Sequence, residues 1–131
     1  MIPYGRQDVT EEDIAAVVKV LQSDFLTQGI KVTEFEFSLS NYTRSKYAIT
    51  TNSGTSALHL SCLSLGLKKG DWLWTSPISF VASANCGLYC DAKVDFVDIN
   101  STTWNIYTNK LKSKLEIAKR IHNLPKRIVG V

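Results

Sequence analysis

Apolar residues in the first third of the chain recur at helical spacing. Ile14, Val17, Val18 and Leu21 fall on one side of a helix, and Thr10 followed by Asp13 resembles a capping box with Asp in place of the usual Glu. The loop "DFLTQG", Asp24 to Gly29, interrupts this pattern. Val32, Phe35, Leu39 and Tyr42 then mark one side of a second helix.

From Tyr47 onward the pattern alternates. Tyr47 to Thr51 reads as a strand, and Thr55 to Leu65 as a helix closed by Gly66. Trp72 to Thr75 reads as a strand, and Pro77 precedes a helical segment in which Phe80, Ala84 and Leu88 recur every four residues. Lys93 to Ile99 is a further strand, a helix carrying Leu111 and Leu115 follows, and Arg127 to Val131 opens one more strand. This repetition predicts an α/β domain, a mostly parallel sheet with helices on both faces. The pattern stops within a strand, so the expectation is a single incomplete domain over 1–131. It comprises an N-terminal helical segment, 1–46, and the start of an α/β domain, 47–131, cut off within that strand.

Composition narrows the class. A length of 131 residues with 44% apolar and 21% charged positions fits one ordinary globular domain. The net charge of +3 is scattered, and its densest run, Lys110 to Lys114, lacks interleaved aromatics. It reads as a solvated helix face, so no nucleic-acid partner is expected. No apolar run approaches the roughly 20 residues that cross a bilayer, and the start lacks a signal-peptide core, which predicts a cytoplasmic protein without a membrane partner. Cys62, Cys86 and Cys90 lie in apolar stretches without a metal-ligand set nearby, which predicts buried thiols and no metal.

The chemistry concentrates at two strand-to-helix junctions. "TNSGTSAL", Thr51 to Leu58, places small and hydroxyl residues where a helix begins. Such a start offers free backbone N–H groups and the positive end of the helix dipole. Gly54, Thr55 and Ser56 form either a cradle for an anion, best a phosphate, or a plain Ser/Thr cap on a glycine turn. The phosphate loops G-x-x-x-x-G-K-[ST] and G-x-G-x-x-G are both absent. In "TSPISFVASAN", Phe80 either stacks on a flat heteroaromatic ligand or serves as a core aromatic.

"NSGTSALHL", "GDWLWTSPISFVASAN" and "DAKVDFVDI", in this order, resemble the DegT/DnrJ/EryC1/StrS family of sugar aminotransferases. These are pyridoxal 5′-phosphate (PLP) enzymes of aspartate-aminotransferase fold type I. The resemblance covers essentially the whole chain but only the front part of the family's length. It implies that Thr55 and Ser56, beside Gly54, hold the cofactor phosphate and that Phe80 stacks on its pyridine ring. The opening "MIPYGRQDVTEEDI", the loop "SDFLTQG" and "SFVASANCGLYCDAKVDFVDI" are similar to a branch that serves pseudaminic acid synthesis. That branch implies a UDP-linked 4-keto-6-deoxy-hexose as acceptor and glutamate as amino donor. It also implies substrate contacts at Tyr4, Asp24, Phe25, Leu26, Thr27 and Gly54, and a homodimer with active sites between subunits. A dehydratase of the same family, with histidine replacing the lysine, is the alternative, as is a non-catalytic remnant.

The sequence departs from the family pattern at Ile30, where proline or lysine is common, and at Asp91, where glycine is common. The resemblance further implies that the Schiff-base lysine and the carboxylate facing the pyridinium nitrogen lie beyond the last strand. No lysine here matches that motif, and Lys46, in Thr43-x-x-Lys46, reads as a surface residue. The expectation is a chain that holds half a site, has no catalytic residue of its own, does not transaminate alone, and tends to self-associate.

Overall fold

A computed structural model describes residues 5–120 and 128–130. The chain divides into two compact units, residues 1–50 and 51–131.

In the first unit, α1 (Glu11–Leu21) begins with a complete capping box. Asp13 N–H donates to the Thr10 hydroxyl, and the Asp13 carboxylate accepts from Thr10 N–H at 2.8 Å. These hydrogen bonds from Thr10 hold the exposed Asp13 carboxyl below its ordinary pKa. A second helix, α2 (Ile30–Thr43), follows Gly29, and neither helix buries a residue fully. Its apolar stripe faces outward, with Phe35 59% and Tyr42 90% exposed, while Glu36 and Ser40 are half-buried.

Residues Tyr47 to Thr51, expected as a strand, form no regular element and have no ladder partner among the described residues. A strand exists only through its neighbour's hydrogen bonds. Here the backbone N–H of Thr50 is taken instead by the Glu36 carboxylate at 2.8 Å.

The second unit comprises α3 (Gly54–Ser64), β1 (Trp72–Thr75), α4 (Ala82–Tyr89), β2 (Lys93–Phe96), α5 (Thr108–Arg120) and β3 (Ile128–Gly130). The three strands are parallel in the order β2-β1-β3. From β1 the chain steps to one side, through α4 to β2, and then returns past β1 to β3 on the other. The direction of crossover reverses between β1 and β3, and right-handed crossovers of opposite direction put their helices on opposite faces.

The side chains agree. Leu73 and Val94 face α4, where a Cβ on Gly87 would lie 2.9 Å from Leu73 and 3.0 Å from Val94. Trp74 and Asp95 alternate to the other face, where Lys114 of α5 sits 4.8 Å from the Trp74 ring centre and pairs with Asp95. The expected β2 ends at Phe96 rather than Ile99, because Ile99 pairs instead with Ile106 in an isolated antiparallel bridge.

The core lies between α3, α4 and the sheet: Cys62, Leu67, Leu73, Cys86, Cys90 and Ala92. All three thiols are buried and unpaired, as expected. Burial, with Cys86 and Cys90 beside it, pushes the Cys62 thiol up to about 12, so it stays protonated at neutral pH.

Helices α3 and α4 end in the same Schellman turn. Gly66 N–H and Leu67 N–H bond back to Leu63 and Cys62, and Asp91 N–H and Ala92 N–H bond back to Leu88 and Gly87. The turn needs positive φ, which Gly66 adopts at 72° and Asp91 at 56°.

Candidate functional site

Ligands of open α/β sheets bind beyond the carboxyl ends of the strands, at a reversal of crossover direction. In this sheet that place is the end of β1, which continues into Ser76–Phe80. Phe80 precedes α4 by two residues, its carbonyl accepts Ser83 N–H at 3.0 Å, and its ring is 76% exposed. The buried positions of α4 are Ala82, Cys86 and Gly87. The stripe of Phe80, Ala84 and Leu88 therefore does not face the core, and the reading of Phe80 as a core aromatic is set aside.

The start of α3 is built from its own hydroxyls. Ser53 caps the helix by accepting Ser56 N–H at 3.1 Å, and its hydroxyl donates to Ser56 Oγ at 3.0 Å. The Ser56 hydroxyl donates in turn to Asn52 Oδ1 at 2.8 Å. This network engages Ser56 fully and leaves three donors over. The N–H groups of Gly54 and Thr55 and the hydroxyl of half-buried Thr55 have no hydrogen-bond partner among the described residues.

Two further observations fit an anion there. A Cβ built on Gly54 meets nothing within 4 Å, so the space above the first turn is open. The first turn of α3 carries no acidic residue, whereas that of α1 carries Glu11, Glu12 and Asp13. Acidic groups in the first turn offset the helix dipole, and α3 leaves its own positive end uncompensated. A phosphate, as PLP would present, fits this donor set.

The loop of the first unit presents a separate cavity of about 400 Å³, lined among others by Lys19, Phe25, Leu26, Gly29 and Lys31. Phe25 and Leu26 line this cavity, whereas Asp24 and Thr27 do not. Tyr4 lies outside the described residues. A larger cavity of about 610 Å³, at the end of β2 against α5, contains none of the expected site residues. Sequence reasoning missed Asn52 and Ser53, although a serine three residues before Ser56 is the spacing of an N-cap. It also missed Glu36, which carried no local signal.

The fold is an α/β domain with a parallel sheet, and the start of α3 offers donors of the kind a phosphate takes. The DegT/DnrJ/EryC1/StrS aminotransferase family model matches residues 7–131, and the chain belongs to that family. It is 44% identical over 115 residues to UDP-4-amino-4,6-dideoxy-N-acetyl-β-L-altrosamine transaminase of Campylobacter jejuni, covering 88% of this chain and 30% of that protein. The PLP form of Spr1654 from Streptococcus pneumoniae superposes with a TM-score of 0.81 at 32% identity, covering 86% of this chain and 29% of that one. An E. coli GDP-4-keto-6-deoxy-D-mannose-3-dehydratase with bound hydrated PLP gives 0.79 at 29% identity, covering 85% and 30%. The chain thus spans about 30% of the length of curated relatives that it matches. No described helix is long and apolar enough to cross a membrane.

Proposed function

We propose that this chain supplies the phosphate- and ring-holding part of a PLP-dependent aminotransferase. The reaction moves an amino group from glutamate to C4 of a UDP-linked 4-keto-6-deoxy-hexose. The observation that carries the reading is the set of unpartnered donors on Gly54 and Thr55 at a helix start free of acidic residues. Those donors hold the cofactor phosphate, Ser56 shapes the turn beside them, and the exposed Phe80 ring stacks on the pyridine. When bound, the cofactor supplies the electron sink that amino transfer needs. Asp24, Phe25, Leu26 and Thr27, with Tyr4 and Gly54, contact the sugar nucleotide.

The 44% identity to a UDP-sugar transaminase supports the acceptor assignment. The working assembly is a homodimer. Three free thiols support a reducing, cytoplasmic setting. The likeness to a PLP-bound dehydratase supports a second reading, in which the same cradle serves elimination of water from a related sugar.

This chain alone holds the cofactor without transaminating, since none of its lysines matches the family's catalytic motif. The test is a PLP titration followed by absorbance, with and without borohydride, beside an assay for glutamate-dependent turnover. Saturable binding without a reducible lysine adduct is expected, weakened about tenfold by Thr55→Val through loss of one charge-assisted hydrogen bond. A stable adduct on one defined lysine, or turnover, would overturn the half-site reading; absence of binding would remove the cradle.

A further inference from the structure

We propose that Glu36 is a positioning residue for the phosphate turn, an inference that rests on the cradle reading above. Among the described residues, every other side-chain hydrogen bond of residues 5–50 spans four residues or fewer. The exception is Glu36. One oxygen of its half-buried carboxylate accepts both Thr50 N–H, at 2.8 Å, and the Thr50 hydroxyl, at 3.0 Å, across 14 residues.

The carboxylate therefore does for Thr50 what a neighbouring strand would do, fixing both the backbone and the side chain of a segment without a ladder partner among the described residues. A charged acceptor makes the stronger form of such a bond. Thr50 is joined by one peptide bond to Thr51, whose hydroxyl donates to the Ser53 carbonyl at 2.8 Å. That same Ser53 caps α3, and its carbonyl and hydroxyl accept the N–H groups of Ala57 and Ser56. Glu36 touches no ligand in this scheme; it holds the chain from which the cradle is turned.

The experiment compares Glu36→Ala, Glu36→Gln and Thr50→Val in the whole chain, by amide hydrogen exchange without ligand and by PLP affinity. Glu36→Ala is expected to speed exchange at Ser56 and Ala57, and to weaken PLP binding, each about tenfold. Glu36→Gln keeps an acceptor at the same reach and restores most of both. Thr50→Val, which removes only the 3.0 Å bond, falls between. Should Glu36→Ala fail to fold by circular dichroism, Thr50→Val decides by the same two readouts. Faster exchange at Thr50 alone, with Ser56, Ala57 and PLP affinity unchanged, would overturn the proposal. If the parent chain binds no PLP, the cradle reading falls, and exchange at Ser56 and Ala57 still decides the role of Glu36.

Discussion

In the unit of residues 51–131, Leu73, Cys62 and Cys86 have no solvent exposure, whereas in the unit of residues 1–50 Val17, Phe35 and Leu21 are about 60% exposed. Both units contain helices rich in apolar residues but use them differently. The later unit packs α3 against α4 and α4 against its sheet, and its stability comes from burial. The earlier unit keeps its shape through polar ties: the Thr10–Asp13 box at the start of α1 and the Glu36 clamp on Thr50. An amphipathic pattern thus reports that a helix forms, while the partner that covers its stripe is a separate question.

The largest test of this contrast is a pair of truncations. Leu73→Ala empties a fully buried site and should lower stability by about 3 kcal/mol. Phe35→Ala, on the open stripe of α2, should change it by less than about 0.5 kcal/mol. Urea denaturation followed by fluorescence of Trp72 and Trp74 measures both. Equal losses would mean that α2 is packed in solution, and a concentration-dependent loss at Phe35 would identify the packing partner as another copy.

A smaller effect sharpens the picture inside the later unit. Gly66 and Asp91 occupy the same position of the same turn, yet only glycine adopts positive φ without steric cost. Asp91→Gly should stabilise the chain by about 1 kcal/mol, and Gly66→Ala should destabilise it by a similar amount. Thermal melts of the two variants would move in opposite directions. A melt unchanged at Asp91 would mean that its side chain makes up for the strain in solution.

What could be read in the sequence follows from range. The helices, the Thr10 cap and the Gly66 stop rest on contacts a few residues long, whereas β1 was legible from its composition although its partners, Lys93 and Ile128, lie far along the chain. The helix start at Gly54 to Ser56 was legible because a helix start is local geometry. Tyr47 to Thr51 was misread because β-branched composition cannot say whether a neighbouring strand is present. Phe80 stayed ambiguous because its fourfold spacing with Ala84 and Leu88 fits a helix face without telling which face is buried. Glu36 was invisible for the opposite reason: its partner lies 14 residues away, and no periodicity links a carboxylate to an isolated threonine.

The smallest effect concerns a clamp in the later unit that is polar like those of the earlier. On the face away from α4, Lys114 bonds to Asp95, donates to the Phe96 carbonyl at 2.7 Å and covers the Trp74 ring. Partial burial pushes the Asp95 carboxyl up. The Lys114 hydrogen bond, the Phe96 N–H and the Lys114 charge more than offset this and hold it below its ordinary range. A carboxyl depressed by folding contributes stability above its unfolded pKa of about 3.9, and the contribution disappears as pH falls through the lower folded value. The Asp95 side chain is 45% exposed, so solvent and salt screen most of the gain. Asp95→Asn should therefore melt slightly below the parent at pH 6, and the two should converge as the pH drops below about 4. The same gap should shrink in high salt at pH 6. A gap as large as that of Leu73→Ala would mean that this polar clamp, rather than the α3–α4 core, holds the sheet.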